Sequence, residues 1–481
     1  MRSLKNRLFK GAAWNALNQL FTQIINMGVT LYLANRLFPE NFGILGNIMI
    51  LFFVAQILFD LGLTGAMLSI KNIYKEHYNN AFWLLLFGSI STYLIIYFIS
   101  PLLSIYYEDG DFITFGVRLV FSSFLLYPLY IISMVHEFKA LKYDKITITN
   151  LISIIVSSLF ALLLIKFGYS KYSLIAQFFV KNLLDFIIMI LFIKWFPNKL
   201  PDFIEMFKLL KLGFGYLMHN AINYFSQNID FFLVGRLLGN NIMGLYTISF
   251  RIAKYPLVKF FEIIGKMLFP AFVELKNENI TKVFFKITAV GSYFLVPVIL
   301  ALYFTIEYIS IILLKPEWNP IINIIKIILF YSIFDALSLP DKELLKANNK
   351  VMNLNYYRIG TLAIFLVFGI FAIKKFGILG IAHVYGACQL LNIIIVRAYI
   401  HKIFYISLHE SIYYMRKIIL EIILLFTLGY LAKLLLNYFQ LSPYFNFSIF
   451  IVFYFFIFLL LTLFNSVIDF KTKRILWDNF I

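Results

Sequence analysis

The sequence predicts an all-α polytopic membrane protein with about fourteen transmembrane helices. Three observations lead there. Apolar runs long enough to cross a bilayer recur along the whole length. The composition is 62% hydrophobic and 14% charged, far from a soluble globular chain, which is about half apolar and a quarter charged. Basic residues collect in alternate connections between the runs, as they do on the cytoplasmic side of membrane proteins.

Read in order, the amino terminus Met1–Lys10 is basic and enters an apolar run with no small-residue cleavage site after it. It therefore reads as an uncleaved first helix rather than a signal peptide. The spans fall near 11–35, 43–69, 80–101, 112–135, 146–166 and 173–193. After the polar stretch 194–212 come 213–238, 243–270, 286–307, 320–340, 354–374 and 378–398, and finally 417–437 and 445–467. The expected organisation is a first bundle over 1–193, a cytoplasmic linker over 194–212, a second bundle over 213–400, and two additional helices with a tail over 401–481. Pro256 and Pro297 sit inside the eighth and ninth spans, where they free backbone carbonyls and allow bends.

Charge orients the spans. With both ends in the cytoplasm, Lys71, Lys75, Lys139, Lys142, Lys145, Lys194, Lys199, Lys208, Lys211, Lys342, Lys346, Lys350, Lys471, Lys473 and Arg474 all fall inside. By that reading inner segments hold about 27 Lys and Arg residues against about 7 outside. The net charge of +18 thus reports topology and contact with anionic headgroups rather than nucleic-acid binding.

Several function classes drop out. Cys388 is the only cysteine, which rules out a disulfide framework or a Cys-based metal site. There is no phosphate-binding loop and no HExxH pattern, and the six His are scattered. The outer loops are short, so the chain is expected to move a substrate, not to react it. No catalytic residue, metal site or cofactor is assigned.

Two segments resemble each other. Leu33-Ala34-Asn35-Arg36-Leu37 followed by Phe42-Gly43 is matched by Leu233-Val234-Gly235-Arg236-Leu237 followed by Met243-Gly244. Upstream, Gln19, Gln23 and Asn26 align with His219, Asn223 and Ser226. Six spans separate the copies, so both face the same way: a parallel repeat about an axis along the membrane normal, with substrate expected between the halves.

Polar groups inside the spans are the candidate site. Asn15, Gln19, Gln23 and Asn26 share one face of the first helix, widened by Asn18 and Thr22. Asn220, Asn223 and Gln227 repeat the device in the seventh. Such residues serve either as interhelical hydrogen bonds or as the wall of a wet cavity, and two stripes at matching repeat positions favour the cavity. Arg118, Lys181, Arg251 and Lys254 lie mid-span, where a charge costs about 2.5–3.5 kcal/mol on insertion scales. Asp185 is one helical turn from Lys181 and suited to neutralise it. Asp60, Asp185 and Asp230 are candidates for a coupling proton or sodium ion, or for pairing with a nearby base.

The chain resembles the bacterial polysaccharide exporters and O-antigen flippases of the multidrug/oligosaccharidyl-lipid/polysaccharide superfamily. The resemblance rests on residues 33–43, on Asp60-Leu61-Gly62-Leu63, and on Gln227-Asn228-Ile229-Asp230 with Val234-Gly235-Arg236-Leu237-Leu238-Gly239. Gly244-Leu245-Tyr246 and Phe269-Pro270-Ala271-Phe272 complete it. It implies a MATE-like fold: two pseudo-symmetric six-helix bundles about a central cavity, plus two peripheral helices. It also implies a bacterial inner-membrane protein that turns an undecaprenyl-diphosphate-linked oligosaccharide to the outer face, alongside other polysaccharide-assembly membrane proteins. In that role the basic residues would offset the diphosphate's lost hydration, and the Asn and Gln stripes would meet sugar hydroxyls. The alternatives are a multidrug/cation antiporter or a lipid II flippase of the same fold, or a membrane-bound polymerase or ligase of lipid-linked glycans.

Overall fold

A computed structural model describes residues 2–102, 109–140, 142–274, 280–348, 350–439 and 441–464. Among them every regular element is helical: α1 (Arg2–Ala34), α2 (Pro39–Asp60), α3 (Leu63–Ser69), α4 (Lys75–Ile99), α5 (Gly110–Ser122), α6 (Tyr127–Lys139), α7 (Asp144–Lys166), α8 (Ser170–Ile193), α9 (Phe203–Leu237), α10 (Gly239–Ala253), α11 (Tyr255–Glu274), α12 (Ile280–Leu313), α13 (Ile321–Leu337), α14 (Leu339–Ala347), α15 (Val351–Ile403), α16 (Leu408–Tyr438) and α17 (Pro443–Phe464). Over the described residues each expected span falls on helix, and 465–467 of the last lie outside them. Lys471, Lys473 and Arg474 lie outside the described residues.

Several spans are broken. The second comprises α2 and α3, the eighth α10 and α11, and the tenth α13 and α14. The eleventh and twelfth run as α15, interrupted at Gly377 with φ 60° and ψ −142°, a conformation open to glycine because it lacks a Cβ. Among the described residues nine segments are long and apolar enough to cross a bilayer on that basis alone. The helix α9 is not one of them, because its Asn, Gln, His and Asp residues lower its hydropathy.

By backbone contacts the chain divides into two units, Met1–Thr247 and Ile248–Ile481. In the first, α7 packs along α8 and against α1, while α9 lies on α2, α3 and α4. Its core is aromatic. The Phe52 and Phe59 rings approach Phe124 at 4.6 and 4.7 Å, and Phe59 meets Tyr127 at 4.8 Å. Lipid tails are as apolar as these rings, so close packing rather than escape from water holds them together. The linker is tied down by α4. Asn79 donates to the Lys199 carbonyl at 2.6 Å and accepts from the Asn198 amide at 3.1 Å, and Asn80 accepts from the Asp202 amide at 2.8 Å.

The repeat has a geometric counterpart in this unit. The matched residues are Gly43 with Gly244 and, at the same offset, Pro39 with Asn240. A Cβ at Gly43 would collide with the Asn240 carbonyl oxygen, and a Cβ at Gly244 with the Pro39 carbonyl oxygen. Each glycine thus receives the backbone of the residue four before its counterpart, as a local two-fold axis between the starts of α2 and α10 requires. Asn47 donates to the Asn240 side chain at 2.9 Å beside this crossing.

In the second unit α12 is flanked by α13, α16 and α17. Glu307 of α12 accepts from both Lys326 of α13 and Lys433 of α16, tying the first of the two additional helices to its neighbours. Phe284 and Phe285 of α12, Leu344 and Leu345 of α14 and Ile400 of α15 form a buried cluster.

Candidate functional site

The exposed residues of a membrane helix reveal what surrounds it. On α7 the polar side chains Thr147, Thr149, Ser153, Ser157 and Ser158 are buried, while Ile148, Ile152, Ile155, Val156, Leu159, Phe160 and Leu163 are exposed. That is a helix facing lipid. One stretch of α9 is the reverse: Phe214 and Met218 upstream are exposed as on a lipid-facing helix, but between His219 and Asp230 the exposed residues are His219, Asn220 and Gln227. Asn223 is half-buried and accepts from Gln227 at 2.9 Å. An exposed amide in hydrocarbon leaves its donors and acceptors unsatisfied at a cost of several kcal/mol, so this face needs water or a polar ligand.

The helix α1 has two faces. Phe21 and Ile24 are 51% and 67% exposed, and Asn26 is exposed although it stands roughly 200° around the helix from Ile24. Gln19 and Gln23 are half-buried. The other edge of the stripe is interhelical. Asn150 of α7 donates to Asn18 at 2.9 Å and to Thr22 at 2.8 Å, and Thr22 donates to Asn18 at 3.1 Å. Both expectations for such residues therefore apply, on adjoining edges of one helix. The Asn15 side chain lies outside the described residues.

The in-span charges expected in the first unit have partners. Lys181 donates to Asp185 at 2.7 Å, as the spacing anticipates. Arg118 has no partner one turn away, yet its Nε donates to Ser100 at 2.9 Å and its Nη2 to the Tyr97 carbonyl at 3.2 Å. Its guanidinium also lies 4.2 Å from the Tyr97 ring centroid, so the end of α4 holds it. Asp60, the last residue of α2, accepts from Thr64 at 2.6 Å, and Asp230 accepts from Tyr246 at 2.8 Å. Both carboxyls are buried. Gln56 donates to the Tyr127 hydroxyl, and the Tyr127 ring lies 5.7 Å from that of Tyr130.

The second unit contains a buried ionic cluster that reaches beyond the expected Lys254, while the expected Arg251 is half-buried three residues before it. Lys254, at the break between α10 and α11, donates to Asp335 of α13. Arg397 of α15 holds Asp341 of α14 through two N–H groups at 2.6 and 3.2 Å and also donates to the Leu337 carbonyl at 2.9 Å. Its guanidinium lies 5.4 Å from the Phe284 ring centroid. Lys342 is within electrostatic reach of Asp335, Arg358, Lys254 and Asp341. The sequence reading passed over Asp335, Asp341, Arg358 and Arg397. The signal that singled out Arg118, a charge inside an apolar run, was present for Asp335, Arg358 and Arg397 too.

Comparison with known proteins adds the following. A family model described as polysaccharide biosynthesis protein matches residues 32–323. The teichuronic acid biosynthesis protein TuaB of Bacillus subtilis (strain 168) is 22% identical over 446 residues, covering 86% of each chain. The lipopolysaccharide biosynthesis protein WzxC of Escherichia coli (strain K12) is 22% identical over 366 residues, covering 73% of this chain and 72% of its own. Among solved structures, the lipid II flippase MurJ in an inward closed conformation superimposes with a TM-score of 0.74 at 14% identity, over 93% of this chain and 97% of that one. An inward-facing multidrug resistance transporter of the MATE family gives 0.62 at 10% identity, over 81% and 98%.

Proposed function

The chain belongs to the polysaccharide biosynthesis protein family, and from that premise we propose that it carries lipid-linked oligosaccharide units across the bacterial cytoplasmic membrane. The observation that carries the proposal is the polar exposed face of α9, whose Asn220 and Gln227 stand open where a lipid-facing helix presents Ile and Leu. A rigid wall of amides is suited to sugar hydroxyls, which both donate and accept. Gln19, Gln23, Asn26 and Asn223 extend it, with Asn15 on the same helical face.

The cargo is an undecaprenyl-diphosphate-linked glycan made on the cytoplasmic side and delivered outside by alternating access. Arg251 and Lys254 meet its diphosphate, with Arg118 and Lys181 adding positive lining. Asp60, Asp185 and Asp230 are the residues through which a proton or sodium ion drives the cycle. Both termini are cytoplasmic, as the placement of Lys and Arg supports. Other membrane proteins of polysaccharide assembly receive the product. The names of TuaB and WzxC, both biosynthesis proteins of surface polymers, support this choice over drug transport.

The experiment is complementation. A deletion strain should lose its surface polysaccharide and accumulate lipid-linked oligosaccharide facing the cytoplasm. The wild-type gene should restore export, and an Asn220→Leu, Gln227→Leu double variant at equal protein level should not. A deletion strain with intact surface polysaccharide and lowered resistance to cationic drugs would favour the antiporter instead.

A further inference from the structure

The ionic cluster of the second unit has an arrangement that simple neutralisation does not require. Lys254 and Asp335 face each other with side chains 11% and 9% exposed. Burying both ions costs each its hydration, and one good pairing returns only part of that cost. Two further cations, Lys342 and Arg358, interact electrostatically at the same place. Of the carboxylates near them, Asp341 is gripped from two sides by Arg397, and Glu343 is bonded to Lys346 at 2.8 Å. Asp335, unlike Asp341, is therefore held by a flexible lysine and not by an arginine fork, and unlike Glu343 it is held deep in the cluster. Lysine is a point charge on a long stem and exchanges partners more readily than the planar fork of arginine.

Among the described residues Lys342 adds a second ammonium to the Lys254–Asp335 pair, so the place is left positive inside a membrane protein. Such an imbalance costs stability and is characteristic of a place built to receive an anion. A diphosphate offers more charge and more acceptor oxygens than a carboxylate, so it can outcompete one for the same ammonium.

We propose that Asp335 is a resident anion, holding Lys254 while the carrier is empty and yielding it to the diphosphate of the lipid-linked glycan. Lys342 then turns to the same phosphate oxygens. This rests on the transport reading above and specifies how that cargo is recognised. The displaced carboxylate has a second effect. It lies beside the bound diphosphate as a like charge, so it lowers the depth of binding and favours release when the Lys254–Asp335 pair re-forms. A ligand shifts such an equilibrium only by its differential affinity for the two states, and here that difference is the contest for Lys254.

The test uses the full-length protein in phosphatidylcholine nanodiscs, with undecaprenyl diphosphate as the probe. Asp335→Asn should bind it at least tenfold more tightly than wild type, about 1.4 kcal/mol. Lys254→Met should bind at least tenfold more weakly, and Asp335→Glu close to wild type. Equal or weaker binding by Asp335→Asn overturns the exchange. Should Asp335→Asn fail to fold, a hydrophobic carbodiimide on the wild-type protein decides. Asp335 should be modified several-fold faster when undecaprenyl diphosphate is bound, and an unchanged or slower rate overturns the proposal. A wild-type protein that binds no undecaprenyl diphosphate overturns both this inference and the transport reading, whereas binding that is indifferent to Asp335 overturns this inference alone.

Discussion

Replacing Gly43 by alanine tests the reciprocal crossing of α2 and α10. The new methyl would fall on the Asn240 carbonyl oxygen, and the next nearest atoms are also Asn240 backbone. Backbone within a helix cannot rotate away as a side chain does, so the two helices must separate. Overpacking of this kind costs about 1–3 kcal/mol, and the rigid obstacle places Gly43→Ala at about 3. Gly244→Ala meets the Pro39 carbonyl in the same way and should cost a similar amount. Because either methyl already parts the helices, the double variant should cost clearly less than the two singles together, a coupling expected only of residues in one contact. Steric-trap unfolding in bicelles measures all three. Full additivity, or a loss below about 0.5 kcal/mol for either single variant, would refute the geometry.

Other variants probe separate parts of the account. Arg397→Ala leaves Asp341 buried without its two-pronged partner and should cost about 3–5 kcal/mol in the same unfolding assay. Arg397→Lys should recover little of this, since an ammonium cannot reproduce both bonds to Asp341 and the one to the Leu337 carbonyl. Asn150→Leu removes the bonds to Asn18 and Thr22 and should lower stability by about 1 kcal/mol while leaving export capacity intact in the complementation strain. In the linker, Lys208 donates a hydrogen bond to Glu205, and that bond holds its ionisation above the ordinary lysine range. A raised value for a base means any stabilisation is complete at neutral pH and fades as pH rises past the folded value. Both groups are on the surface, so Glu205→Gln should leave the melting temperature unchanged across alkaline pH.

The sequence was most legible where physics acts on one residue at a time. Hydropathy located the spans, because a bilayer demands a run of apolar residues wherever it is crossed. The i, i+4 pair Lys181–Asp185 was legible for the same local reason. The two polar stripes were visible as faces, but not which edge of α1 would bond to Asn150 and which would stay open, since that depends on where α7 lies. Asp335 is 81 residues from Lys254, and Arg118 finds Ser100 across a connection, so no periodicity could pair them. The repeat was readable as a likeness of Gly43 and Gly244. That the two copies should meet at those glycines is a tertiary fact, although the absence of side chains at both positions was a hint of close approach.

The central claim is that the amide face of α9 is wet while α7 faces lipid. Thiol accessibility measures this directly: Cys388→Ser removes the single native cysteine, and single cysteines are then placed at Asn220, Gln227, Ile155 and Leu159. A charged methanethiosulfonate reagent reacts only with thiols in contact with water. It should label Asn220→Cys and Gln227→Cys within minutes and leave Ile155→Cys and Leu159→Cys unmodified. Labelling of all four alike, or of neither α9 position in the folded protein, would contradict the account.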